Sequence, residues 1–232
     1  GFDALLQAIR AKERLQSFAS AHGALRDQVD AALRRAVISI QQSNRLDGHT
    51  AAVLAVDFSP DGQQIATAGV DGTVKLWQPD GTLFKTLTDH TAVVRSVKFS
   101  PDGTLLATAG DDKTIKLWRR DGTLLRTLQT HGSEVWSIAF SPDSSTLISG
   151  GLDRSVELWS RSGEWLMTFP GDQTGVRGVA FSPDGQTVAA GDAGVTISLW
   201  NRDGSQHRVL TGHDVPVQTV AFRPDGRTLV SG

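Results

Sequence analysis

The residue types of a hydrolytic triad, namely histidine, serine or threonine, and aspartate, recur in this chain at fixed offsets, each set followed by a tryptophan. A nucleophilic serine needs one oxyanion hole and one substrate cleft, and neither is built three times over. The repetition therefore favours a structural role over catalysis. The three sets are His49, Thr67, Asp71 and Trp77, then His90, Thr108, Asp112 and Trp118, and then His131, Ser149, Asp153 and Trp159.

The sets belong to a repeat of 41 residues, the spacing between Trp77, Trp118, Trp159 and Trp200. A phenylalanine recurs with the same period and is followed each time by Ser-Pro-Asp-Gly or a near copy; these positions are Phe58, Phe99, Phe140, Phe181 and Phe222. Residues 49–89 and 90–130 are identical at more than half of their positions. A period near 40 is typical of a four-stranded propeller blade.

Each repeat predicts four short antiparallel strands separated by tight turns. The segments are rich in Val, Ile, Leu and Thr, and turn residues such as Pro60-Asp61-Gly62 lie between them. In the first repeat we expect strands at residues 53–58, 64–69, 73–77 and 82–87.

Residues 1–44 have a different composition, which lacks proline and contains many good helix formers. They predict two helices, at residues 3–18 and 24–40, separated at His22-Gly23. The second helix has an apolar stripe that we expect to pack against another element. Its charges are of mixed sign, which argues against an amphipathic membrane helix.

Bulk composition excludes several classes of partner. The formal net charge is −2, so the chain has no overall attraction to nucleic acid or anionic lipid. It has no cysteine and no apolar run long enough to span a membrane. We expect a cytoplasmic protein with no nucleic-acid or membrane partner. The first residue is Gly1, and the strand-like "TLVSG" comes last, so we expect a piece of a longer protein.

From "DGH" at residues 47–49 to "KLW" at 75–77, the repeat resembles the unit of the WD-repeat β-propeller family. The resemblance covers residues 46–232, although the final Asp of the family unit is replaced in each copy. It implies a mostly β fold, with four complete blades and part of a fifth preceded by two α-helices. The expected domains are a helical linker or connector at 1–44 and a partial propeller at 45–232, with units 49–89, 90–130, 131–171, 172–212 and 213–232.

In that family the repeated His, Ser/Thr, Asp and Trp form a hydrogen-bonded tetrad within each blade, and the resemblance assigns this role to the three sets above. The fourth unit departs, because Asp172, Ala190 and Gly194 stand at the first three positions and only Trp200 remains. Either that blade is degenerate, or the nearby Asp192 and Asp214 have been recruited to another role.

The resemblance also implies that partners dock on one face, formed by the loops that begin each first strand and precede each second turn. The candidate protein-binding residues are Leu54, Arg95, Trp136, Arg177, Gln218, Val93, Glu134, Val70, Asp111 and Leu152. Arg, Trp and Arg on three consecutive units match the residue types that dominate binding hot spots. They predict a protein or peptide partner with an acidic or phosphorylated segment. The alternative is that Trp136 packs sideways and the arginines are merely solvated.

Two functions from different classes remain open. Without a P-loop, a His-Glu-x-x-His motif or an acidic calcium loop, the sequence predicts no enzyme, cofactor or metal site. The first function is a non-catalytic interaction module or scaffold. The second follows from the helical lead-in before "NRLDGHTAAV", which resembles that of bacterial signal-transduction NTPases with a C-terminal sensor propeller. In either case open blade edges predict a tendency to self-associate.

Overall fold

A computed structural model describes residues 45–129, 131–169 and 174–232. The two helices predicted at 3–18 and 24–40 lie outside the described residues. In the described residues the regular elements are all β-strands, and they form four four-stranded antiparallel sheets and one two-stranded sheet.

The sheets follow one another along the chain, and within each sheet the strands pair in chain order. Blade 1 contains β1 (Val53–Phe58), β2 (Ile65–Gly69), β3 (Val74–Trp77) and β4 (Leu83–Leu87). Blade 2 contains β5 (Val94–Phe99), β6 (Leu105–Gly110), β7 (Thr114–Arg119) and β8 (Leu124–Gln129). Blade 3 contains β9 (Val135–Phe140), β10 (Thr146–Gly151), β11 (Val156–Ser160) and β12 (Trp165–Phe169). Blade 4 contains β13 (Val176–Phe181), β14 (Thr187–Asp192), β15 (Ile197–Asn201) and β16 (Gln206–Leu210). Blade 5 contains β17 (Val220–Phe222) and β18 (Leu229–Ser231).

The Ser-Pro-Asp-Gly turns set where the first two strands of each blade meet. In blade 1 the amide of Gly62 donates to the carbonyl of Ser59 at 2.7 Å, and the Ser59 hydroxyl donates to the Asp61 carboxylate at 2.7 Å. Gly62 has a φ of +68°, which glycine adopts at little cost. The predicted strands of this blade are confirmed, although the last three begin one residue later than predicted. Gln64 and Thr82 instead belong to turns, where their carbonyls accept from the Ser59 and Gln78 amides.

By its internal contacts the chain divides into two compact units. One comprises residues 1–48 and 77–83. In its described part the Gly81 amide donates to the Gln78 carbonyl at 2.9 Å, which closes a tight turn. The other unit comprises residues 49–76 and 84–232.

In the larger unit the hydrophobic core lies between consecutive blades. The first strands pack in chain order, β1 on β5, β5 on β9, β9 on β13 and β13 on β17. Between blades 1 and 2, Val74 and Leu76 pack with Val94, Val97 and Phe99, and all five are buried. Burying one such side chain contributes about 1.5–3 kcal/mol, so packing between neighbouring blades stabilises each of them.

One face of β1 is exposed where the later blades bury theirs. Val53, Val56 and Phe58 are 50%, 54% and 59% exposed. The residues at the same positions of blades 2, 3 and 4 are at most 9% exposed: Val94, Val97, Phe99, Val135, Ile138, Phe140, Val176, Val179 and Phe181. The β1 face is therefore an apolar surface that lacks the cover its equivalents have among the described residues.

Candidate functional site

In blade 2 the repeated polar residues form a continuous chain of hydrogen bonds. His90 Nδ1 lies 2.7 Å from Asp112 Oδ2, and His90 Nε2 lies 2.7 Å from Thr108 Oγ1. Trp118 Nε1 donates to the same hydroxyl oxygen at 2.9 Å. Because a carboxylate only accepts, Nδ1 donates to it and Nε2 accepts the hydroxyl proton. The set thus joins the loop before β5 to β6, to the turn after it and to β7.

Blade 3 has the same geometry, with a serine in place of the threonine. His131 Nδ1 lies 2.8 Å from Asp153 Oδ1, and Nε2 lies 2.8 Å from Ser149 Oγ. Trp159 Nε1 donates to Ser149 Oγ at 3.0 Å. Ser149 has no exposed surface, and its oxygen is already engaged twice, so it does not have the accessibility of a nucleophile.

In blade 1 the corresponding distances are 2.8 Å from His49 Nδ1 to Asp71 Oδ2 and 2.8 Å from His49 Nε2 to Thr67 Oγ1. Trp77 is buried. The structure therefore brings the histidine, hydroxyl and carboxylate of all three sets together as hydrogen-bonded links between strands and turns.

The tetrad carboxylates favour their ionised form. Burial would raise the pKa of Asp112, but hydrogen bonds from His90 and Thr114 outweigh it and lower the pKa to about 2. The pKa of Asp153 is also lowered to about 2, because bonds from His131 and Ser155 outweigh its burial. For Asp71, backbone and side-chain bonds from Thr50 and Thr73 outweigh burial in the same way, and its pKa is again lowered to about 2.

Glu157, on β11 of blade 3, is a partly buried carboxylate that the repeat pattern did not single out. Its Oε2 atom lies 3.7 Å from His131 Nε2 and has no hydrogen-bond partner among the described residues. Burial raises the pKa of Glu157 above its ordinary value. Blades 1 and 2 have lysines at this position, and Lys75 and Lys116 each donate to a threonine on the next strand. The signal was the change from lysine to glutamate at one repeat position.

Blade 4 lacks the tetrad pattern. Its Asp192 caps the turn between the second and third strands, which the tetrad Asp caps in the other blades. Asp192 is 3% exposed, and its carboxylate accepts from the Gly194 amide at 2.9 Å and from the Thr196 amide and hydroxyl, both at 2.8 Å. Recruitment is therefore the better interpretation for Asp192, whereas Asp214 is exposed. Trp200 Nε1 is buried without a partner among the described residues, since Ala190 occupies the hydroxyl position.

Consecutive blades are joined by ion pairs. In each pair an arginine binds the Asp of the Ser-Pro-Asp-Gly turn, or its near copy, in the preceding blade. The shortest nitrogen–oxygen distances are 2.6 Å for Arg120 and Asp61, 2.5 Å for Arg161 and Asp102, and 3.1 Å for Arg202 and Asp143. Sequence reasoning treated this Asp only as a turn residue. The missed signal was the 41-residue spacing of the three arginines.

The face predicted to bind protein contains a stack of three side chains from consecutive blades. The guanidinium carbons of Arg95 and Arg177 lie 4.5 Å and 4.9 Å from the ring centroid of Trp136. Cation–π attraction of this kind contributes about 0.5–1 kcal/mol at an exposed site and more when desolvated. The blade geometry thus brings together three residues that share one offset in the repeat. We name them the Arg–Trp–Arg stack.

The two arginines of the stack have different partners. Arg95 forms a bidentate ion pair with Asp111, in which Nη2 donates to Oδ2 at 2.8 Å and Nε donates to Oδ1. Arg177 has no ion pair or hydrogen bond with any described residue, and its Nε atom is buried. The indole nitrogen of Trp136 also lacks a partner there but is buried, so its N–H is covered rather than displayed.

Of the remaining predicted face residues, Leu54 belongs to β1, and the others lie in loops before the first or the third strand of a blade. The amides of Val70, Asp111 and Leu152 donate to carbonyls of the preceding loops at 2.9, 2.9 and 3.0 Å, and Ala193 does the same in blade 4 at 2.9 Å. Leu54 and Val70 are each 44% exposed, and Gln218 is also exposed. Val93 and Leu152 are partly buried, and the Glu134 carboxylate accepts from the Ser133 hydroxyl.

Four-stranded antiparallel sheets that pack in succession through their first strands define the blades of a β-propeller. The chain belongs to the WD-repeat β-propeller family. The family described as IFT122 first beta-propeller matches residues 78–232, and the family described as WD domain, G-beta repeat matches residues 40–78.

Similar proteins share short stretches of this chain. A chromatin assembly factor 1 subunit of Schizosaccharomyces pombe is 44% identical over 50 residues, which are 22% of this chain and 10% of that protein. Notchless protein homolog of Arabidopsis thaliana is 48% identical over 48 residues, which are 19% of this chain and 10% of that protein. The NAD(+) hydrolase ApTIR of an Actinoplanes species is 40% identical over 52 residues, or 22% and 7%. The matches therefore cover a tenth or less of each relative.

Neither a metal-binding cluster nor a membrane-spanning helix is found within residues 45–129, 131–169 and 174–232. No group of three or more His, Cys, Asp or Glu side chains there is placed to hold a metal ion. No helix in that part of the chain is long and apolar enough to cross a membrane.

Proposed function

We propose that this chain is a non-catalytic protein-interaction module, a scaffold whose binding face is centred on the Arg–Trp–Arg stack. The observation that carries the proposal is the stack itself, which joins three consecutive blades through three partly exposed side chains. Tryptophan and arginine supply a large share of the binding energy in protein interfaces because they combine apolar contact with planar hydrogen-bond donors. One similar protein is, by its name, a subunit of an assembly factor, which agrees with such a role.

The partner that fits this face has an acidic or phosphorylated segment beside an apolar anchor. Arg177 supplies a planar cation suited to a carboxylate or phosphate group. Leu54 and Val70 are half-exposed apolar side chains on the first blade of the same face. A basic segment would meet like charge at the stack.

The experiment is to compare partner capture by full-length protein carrying Trp136→Ala, Arg177→Gln or Trp165→Ala. Trp165 is a matched control because it belongs to the same blade and is 57% exposed, but it lies on the outer strand β12. We expect the first two changes to reduce capture at least tenfold and Trp165→Ala to leave it unchanged. This face would be excluded if Trp136→Ala and Arg177→Gln left partner capture unchanged. It would also be excluded if these variants lost capture only because they unfold.

A second candidate is that the propeller is the sensor end of a larger cytoplasmic, bacterial signal-transduction protein. It is favoured by the match to an NAD(+) hydrolase, since the shared segment is only 7% of that enzyme. Under this proposal residues 1–44 are a helical connector and residues 45–232 are the propeller. Reading the complete open reading frame tests it: an NTPase or other catalytic domain before residue 1 supports it, and its absence counts against it.

A further inference from the structure

The Arg–Trp–Arg stack has one satisfied arginine and one unsatisfied arginine, although both occupy the same position in their blades. Arg95 is held by the Asp111 carboxylate through two parallel hydrogen bonds. Arg177 has no such partner among the described residues. The difference therefore concerns what surrounds each arginine, not how it stacks.

The two arginines differ in their partners because different residues stand at one repeat position, in the turn before the third strand of each blade. Asp111 follows Arg95 by 16 residues, and Ala193 follows Arg177 by the same number. The backbone is equivalent at both places, because the Asp111 amide donates to Val93 and the Ala193 amide donates to Gly175, each at 2.9 Å. A carboxylate at position 193 would thus reach Arg177 as Asp111 reaches Arg95.

We propose that Arg177 is a carboxylate-binding residue, and that an Asp or Glu side chain of a partner protein accepts from its terminal nitrogens, as Asp111 accepts from Nη2 of Arg95. The proposal rests on the proposed function, since it names the chemistry by which the same face recognises its partner. The geometry it requires exists already in blade 2.

The charges around the stack favour a carboxylate over a phosphate. Asp111 forms an ion pair with Arg95, and the Glu134 carboxylate also interacts with Arg95, so two carboxylates lie near the stack. The Ser133 hydroxyl bond lowers the pKa of Glu134 further below its ordinary value. A phosphoserine carries about −1.5 to −2 charges, so the Asp111 and Glu134 carboxylates repel it more strongly than they repel a singly charged carboxylate.

Stacking also prepares Arg177 for binding. The Trp136 ring fixes the plane of the guanidinium group, and the buried Nε leaves the terminal nitrogens as the donors for a ligand. A side chain that is already ordered loses less conformational entropy when it binds. A charge-assisted bond to such a group is stronger than a neutral one.

The test uses full-length protein and four peptide libraries that differ only in a fixed central Asp, Glu, phosphoserine or Asn between degenerate positions. We expect the Asp or Glu library to be retained about tenfold more than the Asn library, in line with a charge-assisted hydrogen bond. Arg177→Gln should abolish this preference. Ala193→Asp should abolish it too, because the introduced carboxylate would pair with Arg177 within the chain.

The reciprocal change supplies the control. Asp111→Ala removes the partner of Arg95, so the face gains a second unpaired cation and should shift its preference toward the phosphoserine library. Wild-type protein that prefers phosphoserine, that shows no preference among the libraries, or that keeps its carboxylate preference after Ala193→Asp would overturn the inference. Melting temperatures of all variants identify any loss that comes from unfolding.

Failure of this inference is distinguishable from failure of the proposed function. If Trp136→Ala abolishes partner capture while Ala193→Asp and Arg177→Gln do not change the carboxylate preference, the face binds protein but Arg177 is not its carboxylate contact. If none of the three changes affects partner capture, the proposed function itself is wrong.

Discussion

Arg161 of blade 3 binds Asp102 of blade 2, with 2.5 Å between Nη1 and Oδ2. The same guanidinium group donates to the Ser144 carbonyl at 3.1 Å and to the Thr104 hydroxyl. Asp102 also accepts from the Ser100 hydroxyl at 2.6 Å, so the ion pair and the turn share one carboxylate. One side chain thus fixes a turn within its own blade and a turn of the preceding blade.

We expect Arg161→Ala to lower the free energy of unfolding by about 1 kcal/mol. An exposed pair alone contributes at most that much, and the added bonds to Thr104 and Ser144 place the effect at the upper end. Chemical denaturation at low and high salt measures it, and the loss should shrink at high salt. Arg227, which is exposed in blade 5, gives the matched control Arg227→Ala. Equal effects of the two changes would contradict a role for the inter-blade pair.

Asp112→Ala should destabilise the protein by about 1–3 kcal/mol, because it removes the acceptor of a buried histidine. Asp121→Ala, at a turn of the same blade, should have a much smaller effect. The pKa of Asp112 is lowered to about 2, so its contribution is present above the ordinary value of 3.8 and is lost as the pH falls toward 2. Asp112→Asn should flatten the stability profile in that window. A profile as steep as that of the wild type would refute the assignment.

At neutral pH, Glu157→Gln should raise the free energy of unfolding. Burial raises the pKa of Glu157, so the folded state favours its protonated form. The contribution is favourable below the ordinary value of 4.5 and is lost as the pH rises through the raised value. The advantage of glutamine should therefore shrink as the pH falls toward 4. Glu164→Gln, at a turn of the same blade, is the control, and equal melting temperatures for both variants at pH 7 would contradict this account.

Ala190→Ser should stabilise blade 4 by about 0.5–1.5 kcal/mol, because it returns a hydroxyl to the position that accepts the tryptophan N–H in blades 2 and 3. Trp200 Nε1 is buried without a partner among the described residues. Ala189→Ser introduces the same group one residue away, on the other face of β14, and should destabilise. The melting temperatures of the two variants should move in opposite directions. If both fall, the unpaired indole is not what limits this blade.

The chain should self-associate at high concentration through the exposed β1 face. Val56 and Phe58 are more than half exposed at positions that the next three blades bury. Phe58→Asp should shift sedimentation toward the monomer, whereas Leu166→Asp, at an exposed position of the outer strand β12, should not. A chain that stays monomeric at all accessible concentrations would contradict the prediction.

The repeat made most of the fold predictable. In blades 1 to 4 the 41-residue period located strands to within one residue, because turn residues such as Pro60 and Gly62 act locally. Contacts between blades were harder to predict. Arg161 and Asp102 are 59 residues apart and belong to different repeats, so no local pattern pairs them.

The Arg–Trp–Arg stack was predictable as neighbours but not in its detail. A common offset indicates that Arg95, Trp136 and Arg177 share one face. It does not indicate that both arginines contact the indole ring or that Asp111 occupies one arginine. Such details depend on rotamers and on turn residues from another strand, which spacing alone does not encode.

The most direct measurement of the central claim is site-specific cross-linking of full-length protein to its partner. A photoreactive residue at Gln218 would lie on the predicted face, in the next blade after Arg177, and one at Val209 would lie on the outer strand β16, where the side chain is 46% exposed. We predict a cross-linked partner from position 218 that disappears with Arg177→Gln, and none from position 209. Cross-linking from position 209 alone, or from position 218 with no dependence on Arg177, would contradict the account.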